Sequence, residues 1–92
     1  METTLEESVV ATDIAHFIAR VTNIPEGEEL ETDAPLVTLG LMTSLVTTEI
    51  LAFAQERYQV RIGMESITAR NFATANSIAA LVVQTARTED AA

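Results

Sequence analysis

The sequence predicts an all-α fold, an antiparallel four-helix bundle with a long first loop and a short third helix. Three observations carry that expectation. Apolar residues recur at helical spacing in three separate stretches, a 21-residue connection separates the first two, and one brief segment after Gly63 is left for the remaining helix. With 92 residues there is room for one domain and one small core, a chain of this size burying roughly 60 to 70% of its unfolded surface.

The first helix is predicted over about residues 4 to 22, because Leu5, Val9, Val10, Ile14, Phe17, Ile18 and Val21 form one apolar stripe. The connection from Asn23 to Thr43 is long for a structureless loop, but Ile24, Leu30, Leu36, Val37 and Leu39 are spaced through it as anchors. It is expected to lie against the bundle and cover one end. The second helix spans about residues 44 to 58, with Ile50, Leu51, Ala54 and Tyr58 as its stripe, and Val60 and Ile62 alternate with Arg61 as the chain leaves it. Met64 to Asn71 allows one or two turns for the third helix. Thr74 then stands as an N-cap before Ile78, Leu81 and Val82, giving a last helix over about residues 75 to 87 and a frayed tail over 88–92.

Composition removes several functions. The chain is 48% hydrophobic and 21% charged, too apolar for a disordered acidic tail, and its longest apolar run, Ile78 to Val83, is too short to span a membrane. Fourteen acidic residues against five Arg and no Lys give a net charge of -9, which repels phosphate backbones and argues against nucleic-acid binding. Residues 1 to 46 hold -8 of that charge and residues 47 to 92 only -1. Glu26, Glu28, Glu29, Glu31 and Asp33 cluster beside Pro25 and Gly27, as in a solvated loop. Met1 to Glu7 is acidic, with neither a basic nor an apolar signal region, so a cytoplasmic location is expected. Absence of Cys excludes disulfides and thiolate metal sites.

No self-contained catalytic or metal site emerges. A nucleophilic Ser needs a base within reach, and the chain has one His, no Lys and no Gly-x-Ser-x-Gly elbow, which disfavours a small hydrolase. His16 falls between core positions 14 and 17 and reads as a residue on the helix face. The acidic loop lacks the Asp-x-Asp-x-Asp-Gly spacing that wraps calcium.

The informative segment is Thr32 to Glu49, TDAPLVTLGLMTSLVTTE. Gly40 permits a tight turn, Thr43 is placed to cap the second helix, and Ser44 falls at its first position, with Leu45 next. A hydroxyl at a helix N-terminus lies where unpaired amides and the helix dipole favour a phosphate ester, by roughly 0.3 to 1 kcal/mol when exposed.

Here the sequence resembles the acyl and peptidyl carrier proteins, whose motif is Gly-x-Asp-Ser-Leu or, with one residue more, Gly-Leu-x-Asp-Ser-Leu. Gly40, Leu41, Met42, Thr43, Ser44 and Leu45 match the longer form, and FAQERYQVRI and NFATANSIAALV resemble the exit from the family's second helix and the entry to its last. The resemblance covers about residues 5 to 85. It implies a 4'-phosphopantetheine arm on Ser44, with Gly40 and Thr43 shaping its site. It further implies a discrete, monomeric carrier in polyketide, nonribosomal peptide or related specialised metabolism. Its partners would be a phosphopantetheinyl transferase, an acyltransferase or adenylating loading enzyme, and downstream synthase enzymes. Thr43 departs from the pattern, since an Asp usually precedes the modified Ser. Two readings follow: a variation found in some stand-alone carriers, or an unmodified carrier-like interaction module.

Partner enzymes are expected on the second helix. On a helical wheel Ile50, Leu51, Ala54 and Tyr58 cluster with Thr47 as core, while Leu45, Glu49, Ala52 and Glu56 point the opposite way as a docking face whose acids favour a basic partner. Val46 and Phe53 share the flank between them. Val46 is expected to be exposed and to add apolar contact to the partner, and Phe53 to pack against the third helix or under the loop.

Overall fold

Residues 5–25 and 28–91 are described by the computed structural model, the side chains of residues 89–91 excepted. Expectations for Met1 to Thr4, Glu26, Gly27 and Ala92 fall outside the described residues. Three α-helices form: α1 (Glu7–Val21), α2 (Ser44–Tyr58) and α3 (Ala75–Ala91). No strand occurs among the described residues. A 3-10 turn at Met64–Ser66 stands where the short third helix is predicted, so the four-helix expectation is corrected to three α-helices and one turn.

Competition for backbone groups accounts for that shortening. The Asn71 side-chain amide donates to the Ser66 carbonyl at 2.8 Å, and the Thr68 hydroxyl accepts from the Asn71 amide at 3.1 Å. Short polar side chains thereby take the partners that a continuing helix needs. Helix α1 starts later than predicted, leaving Leu5 half-buried ahead of it. It ends in a left-handed cap: Asn23 has φ +60°, and the Ile24 amide donates to the Ala19 carbonyl at 2.9 Å. Helix α3 begins as predicted, with the Thr74 hydroxyl accepting from the Ser77 amide and the Ser77 hydroxyl accepting from the Thr74 amide, both at 3.0 Å. Its far end continues through Ala91, past the point at which fraying is expected.

The core is built around α1 and α3, which pack most extensively on one another, with α2 laid across them. Val10, Ile14 and Ile18 of α1 meet Ile78 and Val82 of α3 and Ile50 of α2 in one buried cluster. The long loop supplies Leu36, fully buried, while Ile24 and Leu30 are half-buried. Val37 and Leu39, predicted as further anchors, are instead 52% and 54% exposed. Residues 35 to 41 form a tight turn, with Leu39, Gly40 and Leu41 amides donating back to Pro35, Val37 and Leu36 carbonyls. Only one side of so compact a turn can face the core, and Leu36 takes it.

Helix α2 is pinned to α1 near its C-terminus. The Tyr58 hydroxyl donates to Asp13 Oδ2 at 2.9 Å, and Arg57 reaches the same oxygen at 3.3 Å. Burial, reinforced by the hydrogen bond to Asp13, pushes the Tyr58 phenol up from 10.0 to about 12. A raised pKa means that the fold favours the neutral phenol, so this stabilisation is complete below pH 10 and is lost as pH rises through about 12. Tyr58 is the sole tyrosine. Tyrosinate absorbance of the native protein should therefore titrate near 12, against about 10 in denaturant, and Tyr58→Phe should cost about 1 kcal/mol in urea unfolding. A native midpoint at the ordinary value would show that the phenol is not held by Asp13.

Candidate functional site

The N-terminus of α2 is assembled from the residues singled out in the sequence. Gly40 has φ +73°, a left-handed backbone that a residue with a Cβ resists, and it turns the chain toward the helix. Thr43 is the N-cap, extended at φ -92° and ψ 169°, and its hydroxyl accepts from the Val46 amide at 3.1 Å. Ser44 is the first helical residue and is exposed. Its hydroxyl makes no hydrogen bond to any described residue, because the Thr48 hydroxyl donates to the Ser44 carbonyl and not to its side chain. The Val46 amide is satisfied by the cap, whereas the Ser44 and Leu45 amides are left for an outside acceptor.

Electrostatically the place is neutral. No acid lies in the first turn of α2, and the chain carries no ionisable side chain between Asp33 and Glu49 although its net charge is -9. An anion on the Ser44 oxygen would meet the positive end of the helix dipole with no carboxylate in that turn to oppose it. The other serines lack this setting: Ser8 is inside α1, Ser66 is in the 3-10 turn, and Ser77 is engaged with Thr74. His16 is exposed on α1, and among the described residues no group of three metal-binding side chains comes together.

Around the site, Leu45 is 68% exposed, Ala52 and Glu56 are exposed, and Glu49 is half-buried. Val46 is the correction. Only 7% of it is exposed, and it joins Ile50 and Ala54 in the core at four-residue intervals. The buried arc of α2 is thus rotated toward Val46, leaving Thr47, Leu51 and Tyr58 half-buried at its edge. Phe53 finds a partner that the sequence did not indicate, its ring stacking on Phe17 of α1 with centroids 4.3 Å apart. The signal for Val46 lay in its phase with Ile50 and Ala54. Phe17 was read only as core, and nothing in sequence spacing paired it with Phe53.

Helix α2 thus opens with an exposed serine whose hydroxyl bonds to no described residue, at a capped start with no acid in its first turn. The family model for the phosphopantetheine attachment site matches residues 12–82, and the chain belongs to that family. It is also 35% identical over 57 residues to a probable acyl carrier protein, PigG, of Serratia sp. (strain ATCC 39006), a match covering 62% of this chain. The chain spans 66% of that relative, just under two thirds of its length. The group that this family holds is a covalently bound 4'-phosphopantetheine. Carriers of this family work with phosphopantetheinyl transferases and biosynthetic enzymes.

Two substitutions check this geometry. Thr43→Asp preserves a capping oxygen and should leave stability within about 1 kcal/mol, while Thr43→Val removes it and should cost about that much in urea unfolding. Val46→Asp places an unpaired carboxylate in the core and should destabilise by about 3 kcal/mol; unchanged stability would return Val46 to the surface.

Proposed function

We propose that Ser44 bears the phosphopantetheine arm and that the chain acts as a discrete acyl or aminoacyl carrier in a polyketide, nonribosomal peptide or related biosynthetic pathway. The observation that carries this reading is the unengaged, exposed Ser44 hydroxyl at the capped start of α2. Gly40 turns the chain into the helix, Thr43 holds its first turn, and the Ser44 and Leu45 amides are available to the phosphodiester. When bound, the arm supplies a terminal thiol on which cargo is held as a thioester. Ser44 anchors the arm, and the absence of a base beside it leaves acyl transfer to the partner enzymes. The printed name of the Serratia relative supports an acyl cargo.

Leu45, Glu49, Ala52 and Glu56 are proposed as the face that loading and downstream enzymes contact, with the acids drawing a basic surface. Val46 has no part in it. Thr43 in the place of the family's usual Asp is the specific observation favouring an unmodified interaction module as the second reading. Intact-protein mass after co-expression with a broad-specificity phosphopantetheinyl transferase separates the two. The wild-type chain should gain one phosphopantetheine, and Ser44→Ala should gain none while keeping its helical circular dichroism. A Ser44→Ala chain that still gained the group would move the attachment point.

A further inference from the structure

The whole net charge of -9 lies in residues 1 to 58, whereas residues 59 to 92 hold three Arg and three acids and are neutral. In that neutral part α3 has a face that the core does not use. Ile78, Ala79, Val82 and Val83 are buried, while Ser77, Leu81, Gln84 and Thr88 follow one another at three- and four-residue steps along a groove of about 640 Å3. The other wall is the segment from Arg61 to Asn71, and none of the described lining residues belongs to α2. That wall is held in place by its own bonds. The Asn71 side chain donates to the Ser66 carbonyl at 2.8 Å, and the next residue, Phe72, is buried in the core.

The two walls differ in chemistry. Arg61 and Arg70 stand on the loop wall, both exposed, and Glu65 is the one acid among the described lining residues, its carboxylate turned back against Gly63. On the α3 wall the Thr85 and Thr88 hydroxyls donate to the Leu81 and Gln84 carbonyls at 2.7 and 3.0 Å. Toward a guest these oxygens act as acceptors, which suits peptide N–H groups, and Ala80 and Leu81 form a small apolar patch beside them. A guest that fits both walls carries carboxylates for the guanidinium side and unpaired backbone N–H groups for the hydroxyl side. A helix has no N–H groups to spare along its length, so the fit is to extended chain. We propose that this groove receives an acidic, extended segment of a partner protein, with one apolar side chain resting on Ala80 and Leu81. A partner seated there leaves α2 and Ser44 open to a second protein. That consequence rests on the carrier reading, whereas the groove and its guest do not.

The probe is a short acetylated peptide with one Leu flanked on each side by a pair of Glu, titrated into the isotope-labelled full chain and followed by backbone amide shifts. Shifts should concentrate at Ser66, Arg70, Asn71, Leu81 and Gln84 and spare Leu45 and Glu49. Arg70→Gln should weaken binding about fivefold, as should Gln84→Glu, which adds a repelling charge on the α3 wall. Arg20→Gln makes the same change in net charge on α1 and should leave binding within about twofold. Added salt should weaken binding, and a version of the peptide with Lys for Glu should leave the groove residues unshifted. Shifts centred on another surface, equal losses in Arg70→Gln and Arg20→Gln, or the same groove shifts from the Lys peptide would overturn the proposal. So would a dimer in sedimentation velocity that Arg70→Gln abolishes, since the groove would then belong to a second copy of the chain. The titration uses the chain without its arm. A wild-type chain that gained no mass from the transferase would count against the carrier reading and leave this result standing on its own.

Discussion

The position of Ser44 depends on two backbone hydrogen bonds that tie the long loop to the start of α3. The Asn76 amide donates to the Thr32 carbonyl at 2.9 Å, and the Leu36 amide donates to the Ala73 carbonyl at 2.8 Å. Asn76 is the second residue of α3, so its amide is one of the donors that a helix cannot satisfy internally. The loop thus completes the helix start that in turn holds the loop. Leu36, whose amide makes the second of these bonds, is fully buried and adds roughly 2 kcal/mol of burial at the same point. A connection of this length has a closure entropy that no single contact offsets, and here these contacts lie at Thr32 and Leu36, in the second half of the loop leading to α2. Beyond Leu36 the tight turn and the Thr43 cap are local, and the half-buried Leu41 and Met42 add packing against the core just before α2.

That division explains which features were legible in the sequence. Gly40, Thr43, Ser44 and Thr74 are read from short-range rules, because a left-handed turn and a helix cap involve residues within three or four positions of one another. The start of α2 follows from the same cap, and its end at Tyr58 from the apolar stripe. The structure places each of these where the sequence indicates. What the sequence could not supply is tertiary choice. Val37 and Leu39 are as apolar as Leu36, yet the turn presents only one of the three to the core. The angle at which α2 crosses the bundle decides whether Val46 or Thr47 faces inward, and a helical wheel drawn on α2 alone cannot fix that angle. The 3-10 turn lost its helical continuation to side chains of Thr68 and Asn71, a competition that helix periodicity does not register.

Long-range and short-range recognition are separated along this chain. The acids lie mostly before residue 34 and the uncharged stretch surrounds Ser44, so the negative field of the chain originates away from the proposed attachment point. Such a field would accelerate encounter with a basic partner and weaken with salt, whereas an apolar contact at the exposed Leu45 would form only after close approach and be insensitive to screening.

Thr43 brings the cap and the charge into one argument. An Asp at this position would accept the same first-turn hydrogen bond but set a carboxylate beside the residue proposed to carry a phosphodiester. Thr43 accepts the bond from the Val46 amide with a neutral hydroxyl, so helix formation and anion binding do not oppose each other. The Ser44 and Leu45 amides stay available, and the helix dipole acts on a phosphate at Ser44 without a fixed negative charge in the same turn. The corresponding loss falls on recognition. On the proposed reading, a transferase that identifies its target through a carboxylate before the serine would find none here, and would use shape and apolar contact instead. The turn at Gly40 and the exposed Leu45 side chain supply those beside Ser44.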